Sequence, residues 1–284
     1  MARLNQKRLT RSLWGDIIVF IILLVVALFM ALPFVYTILQ AFKPFEELFA
    51  YPPKFYVVNP TFDNFKDLFT VASSSWVPFS RYVFNSVWTS VVGTTIHVLS
   101  CSLCAYPVAK KNFPGKNAIF KIVTLSLLFN GTVTALPTYI IHSKLGFIDT
   151  PFAIIVPVIG GAFGMFLMKQ FMSGIPTALL EAAQIDGAGE WKIFWSIVMP
   201  QVKPAWLTLI IFCFTSMWNG GGSGYIYSEQ LKLLPTALSQ IATGGTARMG
   251  AGMAASLIMI IPPIFTFIIS QSRVLETMST AGIK

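Results

Sequence analysis

The chain is predicted to be an all-α membrane protein with six transmembrane helices, and three observations carry that prediction. Of its 284 residues, 55% are hydrophobic and only 11% charged, with a mean hydropathy of +0.71; an ordinary soluble domain is about 25% charged. The apolar residues come in blocks long enough to cross a bilayer, which takes about 20 residues of helix. The 20 lysines and arginines gather in loops on one side of those blocks, the pattern of a positive cytoplasmic face. This asymmetry accounts for the net charge of +9, and nucleic-acid binding is not expected.

Residues 1–15 read as a short cytoplasmic segment and 16–284 as one transmembrane domain. Arg3, Lys7, Arg8 and Arg11 precede the first apolar run, 17–42. That run is too long for the core of a cleaved signal peptide, about 7–15 residues, and it lacks a small-x-small cleavage site, so 16–41 is read as a retained span. The other spans are expected near 84–109, 118–141, 151–172, 205–226 and 252–272, which returns the C-terminus to the cytoplasm. The loops agree. Four basic residues lie at the N-terminus, four across 110–121, three across 169–204 and two in the tail. The external 43–83 loop balances its four with Glu46, Glu47, Asp63 and Asp67.

Several spans carry proline: Pro33, Pro107, Pro137, Pro157 and the pair Pro262–Pro263. Membrane helices tolerate it because neighbours re-satisfy the freed carbonyls. Gly160, Gly161 and Gly164 provide a small face for close helix approach. Packing and kinking are both compatible with these residues. Cys101, Cys104 and Cys213 are an odd set within apolar runs; no disulfide framework follows, and the C-x-x-C has no nearby histidine or carboxylate to complete a metal site.

The segment 173–204 breaks the apolar pattern with Glu181, Asp186, Glu190, Lys192 and Lys203. Pro176 suits a helix's first turn, Ala178 to Ala183 are mostly good helix formers, and Gly187 supplies a stop. Leu179, Leu180 and Ala183 can share a face. A second amphipathic stretch runs over 190–198 towards Pro200 and Pro204. The first helix suits a groove on another protein. Lying flat on the membrane is the alternative, but the basic polar face that anionic lipid prefers is missing.

"EAAQIDGAGEWKIFWSIVMP", 181–200, resembles the EAA signature of permease subunits in bacterial ABC importers. Glu181, Ala182, Ala183, Asp186, Gly187, Ile197 and Pro200 fit that pattern, with Met199 where leucine is usual. "MWNGG" at 217–221, "LKLLPTALSQI" at 231–241 and "LETMSTAGIK" at 275–284 resemble the carbohydrate-uptake permeases related to the maltose transporter's smaller membrane subunit. The resemblance implies a type I permease fold whose EAA loop is a coupling helix seated in a cleft of an ATPase. Those seven residues would then be the coupling site. The implied partners are a second homologous permease, an ATPase dimer, an extracellular or periplasmic solute-binding protein, a carbohydrate substrate and the lipid of a bacterial plasma membrane. The glycine-rich 241–252, with Gly244, Gly245 and Arg248, would reach the binding protein, and 279–284 the ATPase.

No G-x-x-x-x-G-K-[ST] phosphate loop occurs in the sequence. The chain is therefore expected to hold no catalytic residues, no metal and no cofactor, ATP and Mg²⁺ belonging to the partner ATPase. Within the spans, His97, Asn130, Gln170, Trp218, Asn219 and Gln271 are candidates for lining a pathway. Asn130, Trp218 and Asn219 offer the aromatic and amide chemistry sugars prefer. An importer of the same build for an amino acid or phosphate stays open. A secondary transporter would need a proton or sodium relay, and an intramembrane enzyme a catalytic cluster; His97 and His142 are isolated, and no H-E-x-x-H occurs.

Overall fold

The computed structural model describes residues 13–73, 76–129, 131–220, 223–245 and 248–281, which form helices and no strands. The calls on Asn130 and on 282–284 lie outside these residues. Helix α1 (Leu13–Ala41) is a bare rod whose Leu, Ile, Val and Phe side chains stay exposed and which packs on the protein through α14 (Met249–Ala281). Such a surface is stable only in lipid. Beyond it come the single turn α2 (Phe45–Leu48) and α3 (Asp63–Ser73). Asn64 is buried there, and its Nδ2 donates to the carbonyls of Ala41 (2.9 Å) and Lys43 (2.7 Å). These are among the carbonyls a helix end leaves orphaned.

The organising element is α4 (Phe79–Lys110), 32 residues packed against α7, α8 and α12. Its buried positions recur in pairs four residues apart: Asn85/Ser86, Thr89/Ser90, Gly93/Thr94, His97/Val98, Cys101/Ser102 and Ala105/Tyr106. Most are small, which lets neighbouring backbones approach closely. Phe84, Val87, Trp88 and Val91 point outward and are exposed. The helix is thus inside-out relative to a soluble one, with small and polar residues inward and large apolar residues outward.

Where one span over 118–141 was expected, two helices occur, α5 (Lys116–Ser126) and α6 (Gly131–Lys144). The expected 151–172 span is α7 (Phe152–Ile159) and α8 (Ala162–Ser173), interrupted at Gly160–Gly161. Three side chains of α4 repair that interruption. His97 Nδ1 lies 2.7 Å from the Val158 carbonyl and must carry the proton there; Ser100 Oγ donates to Ile159 O at 2.8 Å and Cys101 Sγ to Gly161 O at 3.5 Å. A Cβ on Gly161 would stand 2.3 Å from His97 Cε1, and one on Gly164 2.6 Å from Cys101 Sγ. Close packing and a helix break coincide at this glycine cluster.

The chain then turns through α9 (Thr177–Ile185), α10 (Glu190–Ile193), a π-helical turn (Phe194–Val198) and α11 (Met199–Gln201) into α12 (Lys203–Trp218). The expected span 205–226 is corrected at its far end. Helix α12 stops at Trp218, because Asn219 caps it and Gly220 takes a φ of +85°. After α13 (Leu234–Ala242), α14 starts at Met249, near the expected 252. Among the described residues four helical stretches are long and apolar enough to cross a membrane, counting α7 and α8 as one, or up to six if the bent pairs α5–α6 and Glu190–Gln201 with α12 are each one span.

The core has two ends. Around α9, Met168, Met172, Leu180, Ile193, Phe194 and Val198 pack with Val98 and Ala105 of α4. At the opposite end, Leu68, Trp218, Leu234, Leu238 and Ala254 join α3, α12, α13 and α14. There Asp149, at a φ of +59°, accepts from Tyr227 N (2.9 Å), Ser228 N (2.8 Å) and Ser228 Oγ. These donors, the Ser228 hydroxyl first, hold its carboxyl below the usual range.

Candidate functional site

The charged segment folds as a short helix stapled to the end of the bundle. Pro176 (φ −60°, ψ 132°) precedes α9, and Leu179 N donates to its carbonyl at 3.3 Å. At the other end Gly187 N donates to Gln184 O (3.0 Å) and Ala188 N to Ala183 O (2.9 Å), with Gly187 at a φ of +79°. This is a Schellman cap; the accompanying apolar contact is made by Ala183 and Ala188, both packed on the core.

The nine residues of α9 have two unlike faces. Leu180 is buried and Ala183 half-buried, whereas Ala178, Glu181, Ala182 and Ile185 are all exposed. Their i, i+3, i+4, i+7 spacing makes one outward stripe. Leu179, expected to share a face with Leu180 and Ala183, is 42% exposed, and Ile185 is 86% exposed. Among the described residues Glu181 has no hydrogen bond or ion pair. Asp186 and Gly187 form the turn at the foot of the helix. Ile197 is half-buried against the core and Pro200 follows the π-helical turn, so these two belong to the mounting of α9 rather than to its outward stripe.

The residue that sequence reasoning missed is Glu190. Its carboxylate accepts from Lys111 Nζ, from Tyr106 Oη at 2.9 Å and from Gln184 Nε2 at 3.2 Å. The lysine donor above all, then the tyrosine, keeps its carboxyl below the ordinary range. Next to it, Lys110 Nζ donates to the carbonyls of Ile175 and, at 3.4 Å, Ser173. Pairing a cation with the last carbonyls of α8 suits that helix end. No local spacing could have revealed the set, since Tyr106, Lys110 and Lys111 lie 63 to 84 residues along the chain from Ser173, Ile175 and Glu190.

Of the candidate pathway residues, Asn130 and the Gln271 side chain lie outside what the structure describes. Trp218 is buried; its Nε1 donates to Met259 O at 3.0 Å and its ring stacks on Phe214, centroids 6.0 Å apart. Asn219 is exposed at the end of α12, His97 serves the α7–α8 break, and Gln170 is exposed. In the loop, Gly245 has a φ of +84° and its carbonyl accepts from Arg248 N at 3.1 Å, while the Arg248 stem covers Gly244. Among the described residues no group of three or more metal-ligating side chains occurs, and Cys101, Cys104 and Cys213 are free thiols.

A family model described as the inner membrane component of binding-protein-dependent transport systems matches residues 101–278, from the last turns of α4 through α5 to α13 and most of α14. The chain belongs to that family. The family's relatives include Protein LplC of Bacillus subtilis, 34% identical over 193 residues, covering 66% of this chain and 61% of that protein. The arabinooligosaccharides transport system permease protein AraQ of Halalkalibacterium halodurans is 29% identical over 264 residues, covering 91% and 93%. Among solved structures, a bacterial ABC transporter involved in the import of the acidic polysaccharide alginate has a chain that superposes with a TM-score of 0.76 at 22% identity, covering 91% of this chain and 95% of that one. This likeness is one of fold, the type I permease fold; the family match together with the apolar helices makes the chain a multi-pass membrane protein.

Proposed function

We propose that this chain is the membrane-spanning subunit of an ABC importer that carries an oligosaccharide into a bacterial cell. In this reading α9 is the coupling helix, docked by its outward stripe in a groove of a partner ATPase. The observation that carries it is the shape of α9: started by Pro176, closed by a Schellman cap, seated by Leu180, and bare along Ala178, Glu181, Ala182 and Ile185. A helix held this firmly has no need of an exposed isoleucine unless something covers it, and grooves that bind helices read such i, i+3, i+4, i+7 anchors. ATP and Mg²⁺ would be held by the ATPase. A second permease and an external solute-binding protein would complete the assembly, with 241–252 on the binding-protein side and both termini in the cytoplasm. The carbohydrate class is supported by the relatives, of which AraQ is named for arabinooligosaccharides.

The test is co-purification of the ATPase with the tagged permease, followed by ATP-dependent uptake of labelled arabinotriose, digalacturonate, phosphate and amino acids. Glu181→Lys and Ile185→Lys, both at surface positions, should release the ATPase while the permease still accumulates in the membrane. Retention of the ATPase by both variants would end the coupling reading. Uptake of phosphate or an amino acid alone would move the substrate to another class.

A further inference from the structure

Both covalent routes out of α9 are interrupted. Behind it, α8 ends at Ser173 and is itself one half of a helix broken at Gly160–Gly161. Ahead of it lie a π-helical turn and a bend of 77° before α12. Such breaks absorb displacement rather than pass it on. Helix α4, by contrast, runs unbroken for 32 residues, about 48 Å at 1.5 Å per residue. At one end it meets both flanks of α9: Tyr106, which precedes its only proline, Pro107, and Lys111 bond Glu190 of α10, and Lys110 bonds the Ile175 carbonyl just ahead of α9. At the other, Tyr82 Oη donates to Glu229 at 2.7 Å, Asn85 Nδ2 to Gln230 O (2.8 Å) and Lys232 O (3.0 Å), and Ser86 Oγ accepts from Leu234 N at 2.7 Å. The rod therefore ties the α9 end of the molecule to the segment that leads into α13.

Resting on the coupling reading of α9, we propose that Glu190 is the positioning residue that makes α4 follow α9, by holding Gln184 of α9, Tyr106 of α4 and Lys111 beyond it on one carboxylate. An isolated surface ion pair contributes little, and both Lys111 and Glu190 are partly exposed, at 40% and 50%. What distinguishes Glu190, on α10, is that its donors come from two elements, Gln184 from α9 and Tyr106 with the capping Lys111 from α4, so that displacing α9 by itself must break the bond through which it shares this carboxylate with α4. Lys110, clamped on Ile175 just ahead of Pro176, grips the other flank of the same helix. Lys116, whose Nζ donates to Lys111 O at 2.9 Å, completes the cationic rim.

The experiment uses the intact importer, reconstituted with its ATPase, partner permease and binding protein. ATP hydrolysis is measured with and without a mixture of arabino- and galacturono-oligosaccharides. Glu190→Gln, near-isosteric but uncharged, and Lys111→Met, which removes the donor from the other side, should each lower the ratio of stimulated to basal hydrolysis by about 5-fold or more, with the ATPase still bound. The exchange of charges in Lys111→Glu/Glu190→Lys should restore the ratio, since Tyr106 and Gln184 can each also accept. An unchanged ratio in both single variants would overturn the proposal, as would a charge exchange no better than the singles. Failure of all three to accumulate would reduce Glu190 to a folding role and equally overturn it. Loss of the coupling reading is distinct: it shows as ATPase retained by Glu181→Lys, whatever Glu190 does.

Discussion

Substituting Gly187 isolates backbone conformation from every other effect in the coupling segment. Nothing lies within 4 Å of a Cβ built at this residue, yet its φ is +79°. An added side chain therefore meets no atoms, only the left-handed penalty, about 1–2 kcal/mol for an L-residue. Restriction of the unfolded chain returns roughly 0.4–1 kcal/mol of that for alanine only where the native conformation suits it, which here it does not. Gly187→Ala should thus cost about 1 kcal/mol and the β-branched Gly187→Val about 2 kcal/mol, with Gly187→Asn near wild type because asparagine tolerates this region. Gly187→Pro should be worst, at about 3 kcal/mol or more, because it also removes the N–H that donates to Gln184 O. If docking needs the closed cap, affinity for the ATPase falls by up to about 5-fold for alanine and 30-fold for valine. Titrating nanodisc-embedded permease with ATPase measures this, and amide exchange at Asp186, Gly187 and Ala188 reports the cap directly. Valine binding and exchanging like wild type would refute the argument that the positive φ sets the helix end.

Three further outcomes follow from other parts of the fold. Gly161→Ala, whose Cβ would overlap His97, should destabilise the bundle by about 1–3 kcal/mol, read as a lower thermal midpoint in detergent; a neutral result would mean that the α7–α8 break is not held by His97. Because the Glu190 carboxyl is depressed, its contribution is fully present above the ordinary glutamate value, about 4.3, and is lost as pH falls through the depressed one. Wild type and Glu190→Gln should therefore differ in thermal midpoint near neutral pH and converge only in acid; convergence already at pH 6 would contradict the assigned cause. Trp218→Phe keeps the ring on Phe214 but loses the bond to Met259 O, a change of about 0.6 kcal/mol on the average for such bonds in membranes. Uptake should survive it, and a change in sugar selectivity would instead put Trp218 in the pathway.

What sequence reading recovered follows from range. Apolar blocks announce themselves over some 20 neighbouring residues, so α1, α4 and α14 lie close to their expected places. The reading fails where a span is carried across a glycine-rich break: the apolar run ends at Trp218 and Gly220 turns the chain, so Ile226 lies beyond α12. The foot of α9 was readable because a Schellman cap is local, needing only Gly187 and the carbonyls three and five residues behind its donors. Glu190 was not, because its meaning depends on Tyr106 and Lys111, which are neighbours only after folding.

The same distinction explains α4. Taken singly, its Ser, Thr, Asn and His carry no pattern, and only His97 stands out as a pathway candidate. Read as pairs every four residues, they form one continuous inward stripe from Asn85 to Ser102. Polar groups on such a stripe cost least in lipid where they find an acceptor or donor. Asn85 and Ser86 find theirs in 230–234, and His97 and Ser100 in the α7–α8 break. Thr89 and Ser102 bond back to carbonyls of α4 itself, while Ser90 Oγ and Thr94 Oγ1 have no hydrogen-bond partner among the described residues. Irregular backbone outside α4 thus accounts for Asn85, Ser86, His97 and Ser100, and those four in turn allow that backbone to be irregular. A helix that must stay straight while its neighbours bend needs this arrangement. It is also what fits α4, rather than any apolar span around it, to carry a displacement from α9 to the far side of the membrane.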